Sequence, residues 1–121
     1  MPAVRALRGA TTVDEDTVEQ IDQRVLALLE AMFDRNQLHN DDLVSILFTA
    51  TGDLNSTFPA TAARKFGLGD VPLICARELE VVGATPRCIR VMMHLTTELG
   101  RGDLHHVYLE GASNLRDDLP T

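Results

Sequence analysis

The chain has 121 residues, of which 45% are hydrophobic and 24% charged, and its net charge is −7. That length fits one domain, 1–121, with enough apolar material for a real core. The acidic balance argues against a nucleic-acid partner, which calls for a basic face.

Aromatic residues make up only 4%, so the core is built from Leu, Val, Ile, Ala and Met. Two cysteines, Cys75 and Cys88, form no C-x-x-C pair and no disulfide ladder. The opening MPAVRALRGATT has no signal-peptide apolar core, and no run of about 18 apolar residues occurs anywhere. These features read as a reduced cytoplasmic protein with no membrane partner.

Residues 3–8, AVRALR, predict a short strand, followed by the small-residue stretch Gly9-Ala10-Thr11-Thr12. Val18, Ile21, Val25, Leu28, Leu29 and Met32 recur at spacings of three and four, which predicts a helix ending near Asn36. Asp16 with Glu19 resembles a capping box at its start, and acidic residues there suit the positive end of the helix dipole. His39 to Asp42 is a turn. LVSILFTA, 43–50, carries few polar positions and predicts a central strand covered on both faces.

Residues 51–55 form a loop. Pro59 opens a short helix, PATAARKF, from the first-turn position that proline favours, and Gly67 to Asp70 ends it. Residues 71–82 are extended or mixed, and 83–86 is a turn. Cys88 to Thr97 is the longest strand candidate. After a turn at 100–102, residues 105–109 make a last strand, and 110–121 are irregular. The order β-α-β-α-β-β-β predicts an α+β fold, a mixed β-sheet with helices on one side. The uncovered sheet face calls for burial in a closed homo-oligomer.

The stretch RCIRVMM (87–93) sharpens the functional question. Ile89, Val91, Met93 and Leu95 alternate onto one face, and Cys88, Arg90, Met92 and His94 onto the other. A guanidinium buried without an anion is costly. Arg90 therefore pairs either with an acid such as Glu78 or with an anionic ligand. Ten of the eleven basic residues are arginines, the side chain that grips carboxylates with a two-pronged fork. Compositional bias accounts for much of that, and a single surface arginine usually makes no more than a salt bridge.

Other chemistries find no support. His39, His94, His105 and His106 share no ligand spacing, so no metal is expected. No G-x-S-x-G occurs. Gly67-Leu68-Gly69 is too short for a nucleotide fingerprint.

The segments RGATTV (8–13), FPATAAR (58–64), VPLICARE (71–78), CIRVMM (88–93), HVYLEGA (106–112) and LRDDL (115–119) together resemble the monofunctional, AroH-type chorismate mutases. The resemblance runs from about Val4 to Leu119. It implies a homotrimeric pseudo-α/β-barrel with active sites at the subunit interfaces. It implies conversion of chorismate to prephenate, towards phenylalanine and tyrosine, without a cofactor.

Carried over residue by residue, it implies that Arg90 bonds the ether oxygen and a carboxylate, and that Arg8 grips a carboxylate. Glu78 accepts from the ring hydroxyl, with Cys75 beside it. Tyr108 contacts the carboxylate region, Phe58 and Arg64 come from a neighbouring subunit, and Leu115 lies near the pocket mouth. Three departures stand out. Thr61 replaces a possible rim lysine, Ile74 replaces a possible wall threonine, and the 67–70 loop is one residue shorter. The chief rival is a trimer of another activity that uses an interface arginine to bind carboxylates, such as an imine deaminase or a metabolite sensor. A chorismate-binding regulator without turnover is a further possibility.

Overall fold

The computed structural model describes residues 1–115. Five strands and two α-helices follow one another in these residues: β1 (Ala3–Thr12), α1 (Val18–Asn36), β2 (Leu43–Ala50), α2 (Pro59–Phe66), β3 (Leu73–Arg77), β4 (Cys88–Thr97) and β5 (Val107–Tyr108). They form one five-stranded sheet in the order β3-β2-β4-β1-β5. β4 is central and antiparallel to both β1 and β2, while β3 and β5 add as parallel edges. The sheet is mixed, as the element order predicts.

The core occupies one face. Leu7 of β1, Ile46 and Phe48 of β2, and Ile89, Val91, Met93 and Leu95 of β4 all alternate onto it and are buried. Ile21, Val25, Leu28, Leu29 and Met32 of α1 cover them, with Ala62 and Ala63 of α2. Both helices therefore lie on the same side. The other face is open to solvent in the chain by itself, so β2 is central but covered on one face, not both. Its low polarity reflects Leu47 on the half-buried open side.

β1 runs on to Thr12, through the small residues that follow the predicted strand 3–8. β4 is long enough to pair with it down to Thr12↔Cys88, and a full ladder outweighs weak strand propensity. The small side chains have a use, because a Cβ at Gly9 would lie 2.5 Å from Met32 Sδ. Glycine lets α1 sit directly on β1. The extension leaves Arg8 in mid-strand rather than at a strand end.

The start of α1 differs from the capping box read at Asp16. Thr17 is the N-cap, and its hydroxyl accepts from the Gln20 backbone N–H at 3.2 Å. Gln20 reaches back to accept from the Asp14 and Glu15 backbone N–H groups. Asp16 instead accepts from the backbone N–H groups of Asn55 and Ser56, fastening the loop that leads into α2. The helix ends at Asn36, followed by Gln37 with φ 51°. α2 ends at Gly67, where φ 107° requires a residue without a Cβ.

β5 is shorter than the 105–109 read from the sequence. The Asn36 side chain donates to the His105 carbonyl and accepts from its N–H, drawing that residue out of the ladder. Lys65, the lone lysine, pairs with Asp22 at 2.5 Å and ties α2 to α1. Among the described residues no helix is long and apolar enough to cross a membrane. Residues 116–121 of the irregular tail, and all of the LRDDL segment but Leu115, lie outside the described residues.

Candidate active site

The open sheet face gathers several of the candidate residues. Cross-strand partners share a face, so the register places Tyr108, Ala10, Arg90, Thr49 and Ala76 in one row across all five strands. The adjacent row is Arg8, Met92, Leu47 and Ile74. Two arginines thus project from β1 and β4 onto one surface, one row apart.

Glu78 follows β3 and folds back over this face. Its backbone N–H donates to the Ala50 carbonyl at 2.9 Å. Its Oε2 lies 3.4 Å from Arg90 Nε and accepts from the Thr49 hydroxyl at 2.6 Å. The Arg90 side chain is 45% exposed and that of Glu78 25%. The cation read from the sequence as buried is instead open along one edge, with an acid beside it. Arg8 is anchored through its backbone N–H, which donates to His106 Nδ1 at 3.0 Å.

These groups line a cleft of about 220 Å³ with Leu47, Met92 and Tyr108. The Tyr108 hydroxyl is buried with no hydrogen-bond partner among the described residues. Such a group costs free energy until something bonds it. A larger cleft of about 480 Å³ adjoins on the far side of Glu78, but its charged groups are Asp53, Glu78 and Glu80, all acidic. The smaller cleft, by contrast, pairs cations with a carboxylate.

Cys88 sits two residues before Arg90 on the same face, packed with Ala10 and Ala112 and flanked by Tyr108 and Leu115. Burial pushes its thiol pKa up, against the opposing pull of the Arg90 charge. A neutral thiol next to the cation does not compete for it.

Arg8, Glu78, Arg90 and Tyr108 come together, and Leu115 packs beside Tyr108 at the edge. The remaining expected site residues do not line this cleft within the chain. Ile74 stands on the open face beyond Leu47, 65% exposed. Cys75 pairs with Phe48 and its side chain turns to the core side. Phe58, 69% exposed, precedes α2, and Arg64 is exposed on that helix, which lies across the sheet from Arg90. Phe58 and Cys75 share a separate cleft of about 400 Å³. Thr61 is half-buried on α2.

Thr49 and Leu47 were missed by reading the sequence. The alternation of LVSILFTA carries the signal, since both fall opposite the buried Ile46 and Phe48. Which cross-strand neighbour they meet is set by register alone.

A mixed α+β sheet thus holds two arginines and a carboxylate around one small cleft, an arrangement of fixed charges suited to an anionic ligand. The family model for chorismate mutase type I matches residues 4–119. The chain is 44% identical to the chorismate mutase AroH of Bacillus subtilis (strain 168), over 96% of this chain and 92% of the relative. It is 46% identical to that of Thermus thermophilus, over 96% of each. A solved chorismate mutase from Clostridium thermocellum superposes with a TM-score of 0.87 at 46% identity, covering 89% of this chain and 96% of that one. The chain belongs to the type I chorismate mutase family, and its enzyme class is that of a chorismate mutase, an isomerase.

Proposed function

We propose that the protein rearranges chorismate to prephenate in the Arg8–Glu78–Arg90–Tyr108 cleft, by fixed charge and imposed conformation alone. The observation that carries this reading is the Arg90–Glu78 pair, a cation and an anion 3.4 Å apart beside a second arginine, with Arg90 held on the central strand.

The reaction is an intramolecular Claisen rearrangement. The ether carbon–oxygen bond breaks, a carbon–carbon bond forms, and no proton moves. Negative charge builds on the ether oxygen as bond breaking runs ahead. Arg90, charged at any working pH, stabilises that oxygen more in the transition state than in the ground state. Arg8 grips a carboxylate, with Tyr108 against the carboxylate region, and this keeps the enolpyruvyl chain over the ring. Glu78 accepts from the ring hydroxyl and gives the site its opposite pole. No base, nucleophile or cofactor has a task in this scheme. The net charge of −7 repels a dianion at long range, but salt screens this beyond about 8 Å, so the local arginines govern capture.

The reading includes a homotrimer of the pseudo-α/β-barrel type, acting in the cytoplasm on the route to phenylalanine and tyrosine. The open sheet face supports it, with Val4, Val44 and Ile74 exposed there or at its edge. So does the cleft, at about 220 Å³ below the roughly 300–1,000 Å³ of small-molecule sites. Phe58 and Arg64 of a neighbouring copy complete the wall. Leu115 closes the mouth.

The test follows loss of chorismate absorbance with purified protein. No loss above the uncatalysed rate removes the reading and leaves a binding protein. Mixing inactive Arg64→Ala and Arg90→Ala chains after joint unfolding tests the interface. Random trimers restore about a quarter of the sites if the two arginines come from different copies. No regained activity means both belong to one chain.

A further inference from the structure

Thr49 has no role in the scheme above, yet it touches both of its poles. Its hydroxyl donates to Glu78 Oε2 at 2.6 Å, and the same oxygen meets Arg90 Nε at 3.4 Å. Both contacts fall on Oε2, so Oε1 is the oxygen they leave to a ligand. The ion pair is longer than the about 2.7–2.9 Å of a tight two-pronged fork. Arg90 is therefore not collapsed onto Glu78.

The supports differ in stiffness. Thr49 is directly opposite Arg90 on β4 and beside Ala76 on β3, so its backbone is held from both sides. Its β-branched side chain is restricted at χ1. Glu78 lies beyond the end of β3, tethered by one backbone bond to Ala50, the residue after Thr49. A glutamate side chain has much rotamer freedom to lose on being fixed. The Thr49 hydroxyl is the neutral donor that fixes it.

We propose that Thr49 is a positioning residue for the rearrangement. It clamps the Glu78 carboxylate with Oε2 turned to Arg90 and Oε1 presented to the substrate hydroxyl. By meeting part of the carboxylate's demand for donors, it leaves the outer edge of the Arg90 guanidinium for the ether oxygen. The inference rests on the role given to Glu78 above, and extends it to the residue that sets its geometry.

Steady-state kinetics of chorismate loss on Thr49→Val, Thr49→Ser, Glu78→Ala and the Thr49→Val/Glu78→Ala double variant test it, with folding checked by circular dichroism. Thr49→Val lowers kcat about 10- to 100-fold through misplacement of a reacting-site group, with KM changed far less. Thr49→Ala carries the same expectation without a methyl facing the cleft. Thr49→Ser recovers most of the loss, because the hydroxyl returns. In the Glu78→Ala background Thr49→Val costs nothing further, as expected for residues acting as one unit. Wild-type kcat in both Thr49→Val and Thr49→Ala, with Glu78→Ala crippled, overturns the Thr49 inference and leaves Glu78 standing. Wild-type kcat in Glu78→Ala overturns the Glu78 role itself. Additive losses in the double variant, or no rescue by serine, reduce Thr49 to packing.

Discussion

Arg90→Ala is the perturbation that bears most directly on the mechanism. Arg90 Nε sits 3.4 Å from Glu78 Oε2, so truncation has two effects on the field. On the proposed reading it removes the cation facing the ether oxygen, and it leaves the Glu78 carboxylate uncompensated beside a dianion. A unit charge about 4 Å away is worth about 4 kcal/mol at an effective dielectric near 20. Removing a single oxyanion donor costs about 2.7–4 kcal/mol in enzymes where it has been done. At 1.36 kcal/mol per decade, both figures give about a 100- to 1,000-fold loss of kcat.

Stability follows different arithmetic. With 45% of Arg90 and 25% of Glu78 exposed in the single chain, solvent screens the pair, and such pairs contribute about 0–1 kcal/mol. The variant therefore folds, and its unfolding midpoint stays close to wild type. Arg90→Lys fails almost as badly, since a point charge does not reproduce the guanidinium fork. The assay is chorismate loss under saturating and subsaturating substrate, beside a urea titration of the same preparation. A near-wild-type kcat for folded Arg90→Ala refutes the electrostatic mechanism.

Lys65→Met leaves the Asp22 carboxylate, 12% exposed and with Oδ1 already unpaired among the described residues, without its cation. Lysine's own 56% exposure discounts the full penalty of a broken buried pair, to about 1–2 kcal/mol in a urea titration. The Lys65→Met/Asp22→Leu double variant costs less than Lys65→Met, and a larger loss in the double contradicts the argument. Cys88, 2% exposed and with its thiol pKa raised by burial, resists iodoacetamide at neutral pH until the protein unfolds. Peptide mapping that finds native Cys88 alkylated as fast as a free thiol rules this out.

Asp16 gives the pH dependence. Desolvation pushes its carboxyl pKa up, but bonds from the Ser56 side chain and the Asn55 and Ser56 backbone N–H groups outweigh this and hold it below the usual carboxylate value. A folded pKa below the unfolded one contributes stability that is complete above the unfolded value, about 3.9, and is lost as pH falls through the folded value. The stability gap between wild type and Asp16→Ala is therefore wide at neutral pH and narrows below about 3.9. A gap that is unchanged on acidification excludes the assignment.

Local pattern carried much of the architecture. The three-and-four spacing from Val18 to Met32 marked α1, Pro59 and Gly67 bracketed α2, and the alternation of CIRVMMHLTT marked β4 from Cys88 to Thr97. These are properties of neighbours in sequence, where periodicity and backbone restriction act directly. The same alternation put Arg90 on the face away from the core. Quoted segments in the right order pointed to the family before any coordinate did.

Only the tertiary structure decided what Arg90 meets. Strand propensity gave no reason for β1 to run to Thr12. The length of its partner β4 did, and that extension set Arg8 one row from Arg90. The pairing of Asn36 with His105 and the diversion of Asp16 to the 55–56 loop join residues far apart in sequence, which no short-range pattern encodes. Thr49 is the clearest case. Alternation alone put it on the open face, but a hydroxyl there is unremarkable. Register placed it opposite Arg90 and under Glu78, which turned one polar strand residue into the clamp between the cation and the anion of the site.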